Sequence, residues 1–539
     1  MRLSVSLVLV SLSAGVALPA AGQTACSALT ELKLADAVVV SATEAAAGPF
    51  TPPADGIPGP PMTLPGYCRV QGVARPTSDS EIKFEVWLPA ASGWNTKFQQ
   101  AGNGGYAGSI PASSLAEALV RGFATAGTDD GHTGMNAQFA VGHPEKVIDF
   151  GHRAVHLTAV HAKAVVAAFY GRPASRSYFV GCSDGGREAL MEAQRYPDDF
   201  EGIVVGAPAN NWTRLLTTGV WNWKALNATP GSAIPVAKLG LIQRAVVAAC
   251  DRLDRVKDGL IEDPRTCRFN PARLQCRGAD GADCLTKAQL TALQAIYRGP
   301  TNPRTGERIY AGAVPGTEAV PGTWNPWIVA SEQNPLPFIA FFGTQFYQNM
   351  VFEKPHWDYR TMDFDTDLAV ALTKLAPVLD ATDPDLRAFR DRGGKMIQYH
   401  GWGDAAIPAP GSIEYYQQVL AKVGPAVPDF YRLFMVPGMS HCGGGIGPND
   451  FGNGAVGAGA SDPGRDIVAA LDHWLEKGVA PDRIVATGVR PGEPIGDPAK
   501  ETTLTRPLCA YPKIAVYHGV GSTDEAANYS CRVPQKKRS

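Results

Sequence analysis

The chain has almost no net charge. Its 49 basic and 51 acidic side chains leave −2 at neutral pH. That balance excludes the basic stripe on which nucleic-acid and anionic-membrane binding depend. Long apolar runs are missing after the first 22 residues. No later stretch approaches the roughly 18 uninterrupted apolar residues of a membrane-crossing helix. Internal repeats and low-complexity segments are missing too, which excludes a solenoid or a disordered linker as the main architecture.

What is present is a chain of 539 residues, 45% of them hydrophobic, enough for a large core and, as a length prior, for two or more domains. Its 58 glycines and 43 prolines fit a loop-rich protein rather than a helical bundle. The start reads as a secretory signal over residues 1–22: Met1-Arg2, an apolar run from Leu3 to Leu18, then the small residues Ala20-Ala21-Gly22. A secreted or periplasmic location is therefore expected. Ten cysteines in an exported chain imply disulfides. Closeness in sequence suggests Cys250 with Cys267, Cys276 with Cys284 and Cys509 with Cys531. Cys26 and Cys68 follow as the N-terminal pair, and Cys182 and Cys442 remain.

Alternation of strand and helix signals argues for an α/β fold with a parallel sheet covered on both faces. Glu81 to Pro89 alternates polar and apolar residues and predicts an exposed edge strand. Lys97 to Ala101 predicts a second strand, leading into the glycine-rich Gly102 to Gly108. Ala154 to Tyr170 predicts a helix, Gly186 to Arg195 another, and Gly202 to Ala207 a buried parallel strand. The regularity stops near Pro208 and resumes at Lys395 to His400. Tyr431 to Val436 is expected to be the last strand, and Asp466 to Lys477 a helix. The expected organisation is a signal peptide (1–22), the first part of one domain (23–209), a large insertion (210–390) and the rest of that domain (391–539).

The chemistry concentrates in Gly181-Cys182-Ser183-Asp184-Gly185. This fits G-x-S-x-G between a strand and a helix, the pattern of a nucleophile elbow. A free serine hydroxyl is a weak nucleophile and needs a base and an orienting acid. Asp404 follows the resumed strand in Gly401-Trp402-Gly403-Asp404, and His441 follows the last strand in Pro437 to Gly443. The order Ser183, Asp404, His441 is the α/β-hydrolase order. In that reading Ser183 attacks, His441 moves its proton, and Asp404 orients the imidazole. An oxyanion needs two backbone N–H donors. Asp184 supplies one. Gly104 is the choice for the other, with Gly105 close behind. Cysteines flank the catalytic pair, Cys182 before the serine and Cys442 after the histidine, and a bridge between them would lock nucleophile and base together. A further segment, Cys250 to Asp263, carries Asp251, Asp254 and Asp258, with Val256 and Leu260 able to offer carbonyl oxygens. Hard oxygen ligands on a tight loop suit Ca²⁺. Read alone, the segment is equally a solvated charged loop.

Together these residues resemble the tannase and feruloyl esterase family of secreted esterases, across nearly the whole mature chain. The resemblance implies an α/β-hydrolase fold with a large lid domain over about 210–390. It implies a disulfide between Cys182 and Cys442, and the other four pairings as suggested above. It assigns the acid to Asp404 and a structural calcium site to Asp251, Asp254, Val256, Asp258 and Leu260. In this family the lid sets the substrate. A lid arginine holds the free carboxylate in the enzyme that cleaves a terephthalate monoester, but this chain has no arginine between Thr323 and Tyr359. That stretch offers Trp324, Trp327, Phe338, Phe341, Phe342, Phe346 and Tyr347, which suit either an aromatic acyl group or the core of the lid. The expectation is a serine carboxylic ester hydrolase for small aromatic esters of feruloyl, cinnamoyl or galloyl type. Hydrolysis of phthalate or terephthalate-type monoesters is the second reading. A calcium-stabilised secreted binding protein without turnover is a third, of a different class.

Overall fold

Nine strands build one sheet: β1 (Ala37–Ala45), β2 (Tyr67–Ala74), β3 (Ile82–Pro89), β4 (Phe98–Ala101), β5 (Ala124–Thr128), β6 (Ser177–Cys182), β7 (Gly202–Gly206), β8 (Lys395–Gly401) and β9 (Tyr431–Val436). The computed structural model describes residues 24–53, 61–453, 461–489 and 503–534. The expected signal segment 1–22 lies outside the described residues. Across the sheet the order is β1-β2-β3-β5-β4-β6-β7-β8-β9. Pairing is antiparallel from β1 through β3 to β5 and parallel from β5 onward.

Period-2 geometry divides the side chains of β6 between two cores. Phe179 joins one face, covered by α2 (Ala154–Tyr170) and α3 (Asp184–Arg195). Tyr178 joins the other, covered by α1 (Ala112–Val120) and α8 (Ile467–Lys477). Helix α2 covers the expected Ala154 to Tyr170, continues the helical turn of Asp149–Arg153, and stops at Gly171, which takes the left-handed conformation (φ 68°). Asp466 caps α8 by accepting the Ala469 N–H at 2.8 Å.

Two expectations need correction. The strand at Glu81 to Pro89 is not an edge. β3 lies between β2 and β5, and every residue in it except Lys83 is buried. The polar residue that gave the alternation, Glu85, is compensated inside the sheet. It accepts from Arg69 Nη2 at 2.6 Å, Gln71 Nε2 at 2.9 Å and Trp87 Nε1 at 2.8 Å. A buried charge with that many donors costs little, so alternation does not require water on one side. Nor is Tyr431 to Val436 the last strand. Arg483–Val489 pairs with Thr503–Cys509, and Ile514–Tyr517 with Tyr529–Arg532. Arg506 and Pro507 interrupt the apolar pattern there and hide the strand signal.

The chain leaves the sheet after Gly206 and rejoins it at Lys395. The intervening stretch contains α4 (Trp212–Leu226), α5 (Val236–Cys250), α6 (Phe338–Gln345) and α7 (Thr366–Leu379), among other short elements. Its core includes Leu216, Ile242, Leu293, Phe346 and Tyr347 and reaches Tyr106, Phe150 and Ile407 of the sheet region. Five disulfides join the pairs suggested by sequence: Cys26–Cys68, Cys182–Cys442, Cys250–Cys267, Cys276–Cys284 and Cys509–Cys531.

Trp474 tests the packing of α8 on the sheet. Its ring is 2% exposed. Trp474→Ala is expected to cost about 3–5 kcal/mol, as large-to-small changes of buried aromatics do. The midpoint of a reversible denaturant titration, with an unchanged slope, measures it.

Candidate active site

Ser183 stands between β6 and α3 with φ 66° and ψ −119°, a left-handed backbone rare for a serine. Its N–H donates to the Gly206 carbonyl at 3.0 Å. The neighbouring glycines are required by contact. A Cβ on Gly181 would lie 2.4 Å from the Gly185 carbonyl oxygen, and one on Gly185 would lie 2.8 Å from that of Asn103. The G-x-S-x-G pattern is thus a packing requirement of a strand and a helix that meet at backbone distance.

Asp404 follows β8 on a turn pressed against the His441 loop. Gly403 N–H donates to the Met439 carbonyl at 2.8 Å, and a Cβ on Gly401 would lie 2.3 Å from the same oxygen. That approach brings acid and base together. His441 Nδ1 is 2.8 Å from Asp404 Oδ2, and His441 Nε2 is 3.0 Å from Ser183 Oγ. Nδ1 faces a carboxylate and therefore carries the hydrogen, leaving Nε2 to accept the serine proton. Asp404 Oδ1 accepts the N–H groups of Ala406 and Ile407, both at 2.8 Å. Burial alone would raise its pKa. The opposing pull of His441 and the hydrogen bond from His400 prevail and hold the carboxyl well below the usual range. His400 went unnoticed in the sequence. Its Nε2 sits 2.9 Å from the Ile407 carbonyl and 3.2 Å from Asp404 Oδ2. Both are acceptors, so this nitrogen carries a hydrogen toward the acid. Its position at the end of β8, four residues before Asp404, was the one available signal.

Cys182 and Cys442 are bridged, with Cα atoms 5.9 Å apart. Ser183 and His441 are their chain neighbours, so the bridge limits how far nucleophile and base can separate. Both open into a cavity of about 880 Å³. Trp327 packs edge-on against His441, ring centroids 4.9 Å apart, and Phe338, Phe341 and Phe342 line the same space. The other aromatic candidates divide away from it. Trp324, Phe346 and Tyr347 are buried in the core of the insertion.

Asp184 is the first residue of α3, where backbone N–H groups have no intrahelical acceptor. Gly104 and Gly105 line the cavity beside Ser183. The preceding amides are committed: Gly102 N–H to the Val180 carbonyl at 2.9 Å and Asn103 N–H to Glu188 Oε2 at 3.0 Å. This loop is also tied to the insertion, since Tyr106 OH donates to the Phe342 carbonyl at 2.7 Å.

The acidic loop does not line the cavity at Ser183, although Leu260 packs against Gly438 of the His441 loop. Asp251 Oδ1 accepts the N–H groups of Asp258 (3.2 Å) and Gly259 (2.9 Å), and Asp254 Oδ1 that of Val256 (2.9 Å). Asp258 Oδ1 accepts from Leu260 N–H at 3.1 Å, while its Oδ2 pairs with Arg506 at 2.5 Å. Burial first, and then the nearby Asp258 and Asp251, push Asp254 up to about 6. The Asp251, Asp254 and Asp258 carboxylates are thus committed to backbone amides and to Arg506, and they are not among the described groups of three whose ligand oxygens lie within 4.8 Å of one another.

Comparison with known proteins agrees with this geometry. A family model described as tannase and feruloyl esterase matches residues 68–532. The chain is 45% identical to an uncharacterized esterase of Xanthomonas campestris pv. campestris, over 95% of this chain and 92% of that one. It is 35% identical to the mono(2-hydroxyethyl) terephthalate hydrolase of Piscinibacter sakaiensis, over 87% of this chain and 85% of that one. The crystal structure of feruloyl esterase B from Aspergillus oryzae superposes with a TM-score of 0.85 at 29% identity, covering 94% of this chain and 100% of that one.

The bridge beside the site gives a test. Replacing Cys182 and Cys442 together by alanine is expected to leave a folded protein, because four other bridges and three large cores remain. Turnover should fall on the order of a hundredfold, since small misplacements of reacting groups are costly. Turnover with an aryl ester, alongside a circular dichroism melt, separates the two effects. Full activity would mean that the bridge has no catalytic part.

Proposed function

The chain belongs to the tannase and feruloyl esterase family and is a carboxylic ester hydrolase; from that premise we propose that it is an exported serine esterase that cleaves small aromatic esters through an acyl-enzyme. The observation that carries the proposal is the Asp404–His441–Ser183 hydrogen-bonded chain opening into a cavity walled by Trp327, Phe338, Phe341 and Phe342.

The mechanism follows from those contacts. Ser183 Oγ attacks the ester carbonyl carbon as its proton passes to His441 Nε2. The imidazolium so formed faces the ionised Asp404 through Nδ1–H. The carbonyl oxygen becomes an anion between the Asp184 and Gly104 amides. Collapse expels the alcohol, which takes the proton back from His441. Water, deprotonated by His441, then attacks the acyl carbon, and collapse breaks the bond to Ser183 Oγ, which takes the proton back from His441 as the acid leaves. The aromatic wall holds the acyl ring and keeps water from the ester until the alcohol has left.

Feruloyl, cinnamoyl or galloyl acyl groups suit the cavity better than a terephthalate monoester. A free carboxylate needs a cation within reach. Among the described lining residues the one arginine is Arg121, which is already paired with Asp466 at 2.9 Å. A phenolic acyl group asks only for apolar walls and hydrogen-bonding groups at the edge. The inserted segment 210–390 acts as the lid that sets this preference. In this reading its loop of Asp251, Asp254, Val256, Asp258 and Leu260 holds a structural Ca²⁺, for which hard oxygen donors on one loop are suited. The disulfide count and the N-terminal segment support export. A non-catalytic binding role has no use for a nucleophile, base and acid held at hydrogen-bond distance.

Ser183→Ala is expected to lower kcat by at least about 10⁴-fold while leaving the melting curve unchanged. Retention of more than about a tenth of wild-type kcat would contradict the assignment. Side-by-side kcat/KM values for methyl ferulate, methyl gallate and a terephthalate monoester should rank the monoester last. Chelation should lower Tm without altering the chemistry at low temperature. A ligand held at a hundred times its Kd stabilises the fold by about 2.7 kcal/mol. Elemental analysis finding no calcium, with no thermal shift on adding it, would remove the metal from the account.

A further inference from the structure

Beside the elbow, outside the cavity lining, four charged groups are packed together with almost no access to water. Asp130, Asp184 and Arg187 are fully buried, and Glu188 is 1% exposed. Oxygens of the three carboxyls lie within 4.8 Å of one another. Arg187 does not serve all three. Its Nε pairs with Asp184 Oδ1, Nη1 donates to the Gly151 carbonyl at 2.7 Å, and Nη2 donates to that of Phe150 at 3.0 Å. Asp130 and Glu188 are left without a cation of their own.

Both nevertheless hold one residue, Asn103. Its backbone N–H donates to Glu188 Oε2 at 3.0 Å, and its side-chain amide donates to Asp130 Oδ2 at 2.8 Å and to the Thr128 carbonyl at 3.0 Å. Its carbonyl accepts the Gly185 N–H at 2.8 Å. Asn103 therefore joins the loop after β4 to the first turn of α3, one residue before Gly104. The second oxygens of the pair, Asp130 Oδ1 and Glu188 Oε1, are buried without any partner.

We propose that Asp130 and Glu188 share a single proton, and that this carboxyl–carboxylate pair acts through Asn103 as a positioning device for the Gly104 amide that receives the oxyanion. One proton between the two orphan oxygens satisfies both, where two ionised carboxylates side by side in a dry core would repel. The electrostatics agree. Burial first, then the neighbouring Asp184, push Glu188 up to about 7. Burial first, then Glu188 and Asp184, push Asp130 well above the carboxylate range. The other titratable or charged groups nearby are Asp184, Arg187 and Glu192 on α3, Asp129 next to Asp130, Tyr106 near Asp184, and His132, whose Nδ1 lies 3.4 Å from the Asp130 carbonyl and which burial holds down to about 4. The device is intact while the pair keeps its proton and is lost as pH rises through the pKa at which the pair releases it.

The inference rests on the serine-esterase reading, so the two must fail differently. Three variants, Glu188→Leu, Glu188→Gln and Asp130→Asn, are compared with the parent enzyme on a p-nitrophenyl ester. Each is also titrated with an arylboronic acid, whose tetrahedral adduct on Ser183 uses the oxyanion amides. Glu188→Leu is expected to lower kcat roughly 10–100-fold with KM changed by less than about threefold, and to weaken the boronic acid by the same factor as kcat/KM. Glu188→Gln keeps the hydrogen bonds without an ionisable pair. It should recover kcat to within about threefold of the parent and move or remove the alkaline limb of the kcat–pH profile. Asp130→Asn, the variant that also answers if Glu188→Leu does not fold, should shift that limb in the same way. The proposal is overturned if Glu188→Leu is folded and fully active, or if Glu188→Gln is as impaired as Glu188→Leu. A parent profile without an alkaline limb, or a limb unmoved in both polar variants, overturns the shared proton. If the parent hydrolyses no aryl ester, or Ser183→Ala matches it, the esterase reading has failed and takes this inference with it.

Discussion

The backbone of Ser183 is the constraint on which the site depends. A non-glycine residue at φ 66° and ψ −119° carries strain of about 1–3 kcal/mol, and it persists only where its surroundings leave no alternative. Here the surroundings do so on every side. The Gly206 carbonyl holds the serine N–H, and the Asn103 carbonyl holds that of Gly185. Gly181, Gly185 and Gly186 allow backbones to meet where any Cβ would collide. The same tight crossing turns the hydroxyl toward His441 and brings Gly102 and Asn103 against the start of α3. Relaxing the serine would disturb all of these at once.

Charge is handled differently at the triad and beside the elbow. At the triad Asp404 is buried but well supplied with donors, from His400, His441 and two backbone amides, so it stays ionised. Beside the elbow Asp130 and Glu188 have few donors and no cation of their own, and neutralisation by a proton is the cheaper solution. Folding supplies both environments within one turn of helix and its neighbouring loops. The first suits a group that must stabilise an imidazolium, the second a group that must stay rigid.

Much of this was legible in the sequence because the chemistry sits in short local signals. The elbow, the order Ser183, Asp404, His441 and the five cysteine pairs all come from spacing or family resemblance, and the structure places the triad within hydrogen-bond reach. What was not legible depends on partners far away in the chain. The interior position of β3 rests on Arg69 and Gln71 compensating Glu85 from the next strand. The split of the aromatic segment, Trp327 and Phe338 to the cavity, Trp324 and Tyr347 to the core, rests on tertiary packing that sequence spacing does not encode. The N-terminal strands and the small C-terminal sheets lack long apolar runs. The Asp130–Glu188 pair spans 58 residues, and no local pattern announces it.

The central claim is that Ser183 is the nucleophile of an aromatic ester hydrolase. The most direct measurement is mass spectrometry of enzyme quenched within milliseconds of mixing with a p-nitrophenyl ester of an aromatic acid. A burst of nitrophenol is expected and, in the peptide containing Ser183, a mass increase equal to the acyl group. An active enzyme that shows no acylated peptide, or one acylated at a residue other than Ser183, would contradict it.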